Sequence, residues 1–282
     1  MLVGNWLSAL NGSQDLGPQA ARVLRFLGRE PQLAAYASAR EIAERAGVNT
    51  STVVRTAQQL GYEGWPALRH HLRSHYIASM SSGEAAPPPA GPADADSVAA
   101  ILRQDAANLQ TLTTDDTLAA IRAMAAAIDA SRRTLIIGSG LAEAPAGVLG
   151  HLGAILGHDM RVASGSATAL SAQVSLLDEG DCLVVVNVWR LLRVLQPLAG
   201  MAKERGATVC VLTDLHASPL AAVADHVVVA PIESGRPAPS VTAMVAVVQA
   251  TVAALPVTAE AVRAVGRVEQ AWQRLDLMDD DM

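Results

Sequence analysis

Arg40-Glu41-Ile42-Ala43-Glu44-Arg45-Ala46-Gly47-Val48-Asn49-Thr50-Ser51-Thr52-Val53-Val54-Arg55 reads as two short helices joined by a glycine turn. That is the outline of a helix-turn-helix whose second helix can enter the DNA major groove. Ile42, Ala43 and Ala46 recur at helical spacing, Gly47 can take the left-handed conformation that ends the first helix, and Val48 plugs the corner. Asn49 is expected to cap the helix that follows. Beyond it, Val53, Ala57 and Leu60 define a buried stripe, while Ser51, Arg55, Gln58 and Gln59 fall on the opposite face. A short polar face led by small hydroxyl residues and one Arg suits base-edge and backbone reading. Asn49, Thr50, Ser51, Thr52, Arg55, Gln58 and Gln59 are therefore the candidate DNA contacts. An ordinary helical hairpin with a solvated polar face shares this outline, so its surroundings have to decide.

The charge distribution favours the first reading. Residues 1–80 hold eight Arg, no Lys and five acids, a net charge of +3, whereas residues 81–282 carry −9 of the overall −6. An acidic chain as a whole argues against nucleic acid, but here the basic excess coincides with the motif. Arg22, Arg25 and Arg29 share one expected helix, and Arg69, His70, His71, Arg73 and His75 cluster after the motif. Both groups suit either a solvated surface or phosphate contact. The histidine spacing lacks a Cys or carboxylate ligand set, so no metal site is expected.

At 282 residues and 51% hydrophobic content the chain is long enough for two globular domains. Cys182 and Cys210, the two cysteines, sit inside apolar runs that read as adjacent buried strands, where reduced thiols and a cytoplasmic address are expected. No leader pattern and no run near the roughly 18 apolar residues of a membrane span is present, so no membrane partner is expected. An aromatic content of 3% disfavours a stacking platform for single strands.

The stretch 81–95, dense in Pro, Gly and small residues, reads as a semi-rigid linker between a helical domain over 1–80 and a second domain over 96–282. Helix is expected from Asp96 to about Ala130, with one stripe of Val98, Ile101, Leu102, Leu109 and Leu112 and another of Leu118, Ile121, Met124, Ala125 and Ile128. Apolar runs at 134–137, 161–163, 182–186, 208–212 and 227–229 then alternate with helices, including one over 167–177 and one over 190–205. That pattern predicts an α/β doubly wound parallel sheet covered on both faces, with a ligand crevice at the carboxyl ends of its strands. Three segments fall there: Gly138 to Ala142, Asn187 to Leu192, and Thr213 to Leu220. Gly138-Ser139-Gly140 starts like a dinucleotide fingerprint, but Glu143 stands where the third glycine belongs, so no nucleotide cofactor is expected.

Taken together, the chain resembles the RpiR/MurR family of bacterial transcription regulators, which join an N-terminal helix-turn-helix to a C-terminal sugar isomerase (SIS) domain. The resemblance rests on Ile42-Ala43 through Gly47-Val48, Thr52-Val53-Val54-Arg55, Leu60-Gly61-Tyr62 and Gly64-Trp65. In the second domain it rests on Gly138-x-Gly140, Ala202 to Ala207, Leu212-Thr213-Asp214, Ser218-Pro219-Leu220 and Ala224-Asp225. It implies a homodimer or homotetramer formed through SIS domains, a palindromic double-stranded operator, a repressor role, and a phosphosugar or other small acid as effector. The family's second loop supplies a Ser-x-Ser-Gly-x-Thr run that holds the phosphate. Here Asn187-Val188-Trp189-Arg190-Leu191-Leu192 stands in its place without a hydroxyl or glycine, and Ala142 stands where a phosphate-contacting Ser is common. The crevice is thus either rebuilt for another ligand or retained only for oligomerisation. Ser139, Gly140, Asn187, Trp189, Arg190 and Ser218 are the candidate effector contacts, Trp189 as an apolar wall and Arg190, with Arg193, as countercharge. An isomerase or sugar-phosphate-binding protein of this fold is the alternative. However, Glu143, His151, His158, His216, His226 and Glu233 show no paired spacing and no serine sits in a nucleophile elbow, so no catalytic residue is assigned.

Overall fold

A computed structural model of the chain describes residues 3–12, 16–79, 97–215, 218–234 and 239–278. The proposed linker 81–95 lies outside them, as does His216. The chain divides into two compact units. One comprises residues 1–104 with the short stretches 215–217 and 233–239, the other residues 105–214, 218–232 and 240–282.

The first unit holds α1 (Val3–Asn11), α2 (Pro18–Arg29), α3 (Pro31–Tyr36), α4 (Ala39–Ala46), α5 (Thr50–Gln59) and α6 (Trp65–Ser79). Each helix contributes an apolar stripe to one core built on Val23, Leu27, Ile42, Val53, Ala57, Leu68 and Leu72. At about 1.5–3 kcal/mol for each fully buried large aliphatic side chain, this core outweighs the weak helix propensity of β-branched residues such as Val53. Ser38 begins α4, its hydroxyl accepting from the Glu41 amide at 3.2 Å. Gly47 ends it at φ 67°, a left-handed value that favours glycine. The Trp65 indole N–H donates to the Ala37 carbonyl at 3.1 Å, tying α6 to the end of α3.

In the second unit, strands β1 (Thr134–Gly138), β2 (Met160–Ala163), β3 (Cys182–Asn187), β4 (Thr208–Thr213) and β5 (His226–Val229) form one parallel sheet in the order β2-β1-β3-β4-β5. All six β3 residues are buried, as a strand covered on both faces requires. α7 (Ser97–Gln110) crosses the division at Asp105 and is followed by α8 (Asp115–Asp129), α9 (Glu143–Ile155), α10 (Ala167–Val174), α11 (Leu195–Glu204), α12 (Thr242–Ala253) and α13 (Ala259–Arg274). Residues of α8, α9 and α12 pack with Ile136, Val184, Val186 and Leu212 on one face. Those of α10 and α11 pack with Ile137, Leu183, Val185 and Val211 on the other. Cys182 and Cys210 are free and buried, as expected, with their sulfurs 3.8 Å apart.

Two helical expectations need correction. The helix expected over 96–130 is interrupted by a 3₁₀ turn at Thr111–Thr113, because the Thr114 hydroxyl accepts from the Thr117 amide and starts α8 afresh. Its first stripe is not a buried one: Val98 and Leu102 are exposed and only Leu112 is fully packed. The helix expected from 190 begins only at Leu195, leaving residues 188–194 as an irregular segment.

Candidate nucleic-acid interface and ligand crevice

α5 is held by its buried side, where Val53 and Ala57 are fully enclosed and Leu60 nearly so. The opposite side leaves Thr50, Ser51, Arg55, Gln58 and Gln59 exposed, with Thr52 half-buried at the edge. These candidate contacts are thus brought onto one surface. The Gln58 amide donates to the Glu63 carbonyl at 3.4 Å, and the Thr52 carbonyl accepts from the Thr56 hydroxyl at 2.8 Å, so both lean on the local fold. Asn49 occupies the capping position, but its side chain makes no capping hydrogen bond. Its extended backbone at φ −81°, ψ 149° starts the helix instead; the Thr52 amide turns back to the Asn49 carbonyl at 2.9 Å, which leaves the amides of Thr50 and Ser51 as the ones open to an outside acceptor. Arg22, not singled out beforehand beyond its charge, donates to the Gly47 carbonyl at 3.3 Å and braces the turn between α4 and α5. Arg25 and Arg29 are exposed on α2.

The basic cluster on α6 is mostly committed to packing. His71 Nδ1 and the Tyr62 hydroxyl are 3.2 Å apart. The His75 ring stacks on Trp6 with centroids 4.2 Å apart, and burial pushes its pKa down to about 4. Burial and the neighbouring Arg73 charge likewise lower Arg69. The arginines of α2 and α5 are by contrast exposed, which makes them the better candidates for phosphate contact.

The crevice is built where the order of the sheet reverses, between β1 and β3. Gly138 pairs with Val186 and Asn187 with Thr213, and Ser139 continues β1 in extended conformation, so Ser139, Asn187 and Thr213 form a row along the carboxyl edge. Only glycine fits at 138, since a Cβ there would meet the Ala142 carbonyl oxygen at 2.5 Å and the Ala146 Cβ at 2.8 Å. At Gly140, φ is +60° and the amide donates to the Glu143 carboxylate at 3.2 Å. A side-chain anion thus takes the place at the start of α9 that a ligand anion would use.

Past β3, Trp189 lies at φ 69°, a left-handed value that costs a bulky residue about 1–3 kcal/mol. The buried Asp214 carboxylate accepts from the Trp189 amide at 3.0 Å, and a hydrogen bond to a charged group contributes about 1.5–3 kcal/mol, enough to offset the strain. The half-buried Trp189 indole packs against the core while Arg190 and Arg193 are exposed. Asn187 is 2% exposed and its side-chain nitrogen has no hydrogen-bond partner, which costs about 1–3 kcal/mol. Ser218 is buried and spends its hydroxyl on the Leu220 amide at 3.3 Å, capping the 3₁₀ turn Pro219–Ala222; this commits it to local structure. Asp214 and Glu143 were missed as shapers of these loops. The signals were present: Asp214 directly follows an apolar strand, and Glu143 follows Gly140 at the three-residue spacing of a capping box. Among the described residues no group of three or more His, Cys, Asp or Glu side chains could hold a metal ion, and no helix is long and apolar enough to cross a membrane.

Residues 7–79 match the helix-turn-helix domain of the rpiR family and residues 127–254 match the SIS domain. The sugar isomerase domain of an RpiR transcription factor from Sphaerobacter thermophilus is 30% identical. That match covers 60% of this chain and 96% of that one, with a TM-score of 0.56. The NanR protein of Vibrio vulnificus, solved in complex with ManNAc-6P, shares the fold over 99% of this chain and all of its own, at 16% identity and a TM-score of 0.60. An uncharacterized HTH-type transcriptional regulator of Escherichia coli (strain K12), YfhH, is 36% identical over 74 residues. That alignment spans 26% of this chain and about a quarter of that relative, 26%.

Proposed function

We propose, from the premise that the chain belongs to the RpiR family of transcriptional regulators, that it binds double-stranded DNA through α5 and adjusts that binding to a small metabolite held at the sheet-end crevice. The observation that carries the reading is the outward face of α5: Ser51, Arg55, Gln58 and Gln59 are exposed together, backed by a rigid apolar stripe, beside an uncapped helix start. A net charge of +3 over residues 1–80 is a modest electrostatic footing for one copy. Two copies reading two half-sites therefore supply the working affinity, with the second half-site bound as an effectively intramolecular step. That NanR, which shares the fold, was solved with ManNAc-6P supports a small metabolite as the effector. Such a protein works in the cytoplasm, on the chromosome, and its crevice binds without turning its ligand over.

Selection of bound duplexes from a random pool tests the DNA-binding reading. The expected product is a two-fold symmetric sequence whose half-sites lie about 10 base pairs apart, one helical turn. Recovery of no enriched sequence, or of enriched single strands, would overturn it.

A further inference from the structure

Four groups at the carboxyl edge of the sheet define what the crevice can hold. The Asn187 side-chain nitrogen is enclosed and unpartnered, an unmet demand for an acceptor oxygen at the end of the central strand. The two loop amides nearest the switch point, those of Gly140 and Trp189, already donate to the carboxylates of Glu143 and Asp214. A phosphate entering here would have to displace an internal anion from each amide and then face both at short range. The segment 188–194 offers no hydroxyl side chain and no glycine, and α11 does not begin until Leu195, so no helix start meets the end of β3. Two residues past Asn187, the Trp189 backbone is held by the Asp214 carboxylate, and its half-buried indole packs against the core with part of its surface left to solvent.

We propose that the crevice recognises an uncharged polyhydroxy compound, a sugar or polyol without a phosphate ester, with one ligand oxygen accepting from the Asn187 side-chain amide and the ligand's carbon face lying on Trp189. This rests on the reading of the crevice as an effector site and specifies its ligand class. Planar amide donors take hydroxyl oxygens without a net charge, and an aromatic face covers the C–H side of a sugar ring. The exposed Ser139 hydroxyl, on the neighbouring strand in the same row, adds a second polar contact. Arg190 and Arg193 are exposed on the same segment and make no ion pair among the described residues. They are the countercharge an anionic ligand would use, and the anionic arms of the test address them.

The chain has five asparagines, at 5, 11, 49, 108 and 187, so the side-chain amide spectrum of full-length protein labelled with [15N]asparagine is small. Matched probes are D-glucose and D-glucose 6-phosphate, D-mannitol and D-mannitol 1-phosphate, and N-acetyl-D-mannosamine and its 6-phosphate, with inorganic phosphate as the anion alone. The expected result is a saturable shift of the Asn187 side-chain resonance with an unphosphorylated member and none with its phosphate ester. Asn187→Leu, which lacks the reporter resonance, and Trp189→Ala as a rim variant that leaves the strand intact should each weaken that binding at least tenfold when it is measured by titration calorimetry. A phosphorylated member that shifts the resonance more than its partner would overturn the ligand class while leaving the crevice as the effector site. No shift from any probe would overturn both.

Discussion

His75 stacks on Trp6 with the rings inclined by 28°, and burial holds its pKa near 4, well below the ordinary 6.5. The folded chain therefore binds fewer protons than the unfolded chain between those values. The resulting stabilisation is complete above about pH 6.5 and is lost as pH falls toward 4. A cation over an indole gains some attraction, but the burial of the ring opposes its protonation more strongly. In a Trp189→Phe, Trp272→Phe background, where Trp6 and Trp65 are the remaining tryptophans, the thermal midpoint read by fluorescence should drop between pH 7 and 5. His75→Phe should flatten that slope; an equal slope in the variant would assign the acid sensitivity to other groups. At the other unit, Gly138→Ala forces a Cβ against the Ala142 carbonyl oxygen and should destabilise by about 1–3 kcal/mol, measured by urea unfolding. A neutral outcome would mean that the β1–α9 turn relaxes freely.

At the scale of elements, capping decides where helices begin more than propensity does. Ser38→Ala removes the hydroxyl that accepts from the Glu41 amide and should cost about 1 kcal/mol, with loss of helical ellipticity on warming. No change would show that the buried stripe of Ile42, Ala43 and Ala46 starts α4 unaided. The strands were legible because β1, β3 and β4 are unbroken apolar runs and a doubly covered parallel sheet demands such runs. The α4–α5 turn was legible because Gly47 and the stripe spacing agree. Residues 190–194 misled because Leu, Arg and Val suit a helix locally, while the Trp189 turn held by Asp214 delays its start. That contact joins residues 25 apart in sequence, so no local pattern announces it. The unpartnered nitrogen of Asn187 was illegible for the same reason: an Asn at a strand end looks alike whether satisfied or not.

For the molecule as a whole, the helix-turn-helix match falls in the helical unit, whose first 80 residues are basic, and the SIS match mostly in the sheet-based one, and the function joins them. On the proposed reading, the helical unit supplies the DNA-reading surface and the sheet-based unit the effector crevice, whose second loop lacks the hydroxyl and glycine residues that the family resemblance leads one to expect. The central claim is that α5 reads duplex DNA. Fluorescence anisotropy of full-length wild type and Arg55→Ala with the selected duplex, at two salt concentrations, tests it most directly. The expected result is a loss of about 1–3 kcal/mol if Arg55 reads a base, or a shallower salt dependence by about one counterion if it holds a phosphate, with unchanged circular dichroism. Equal affinity and equal salt slope for the two proteins would contradict it.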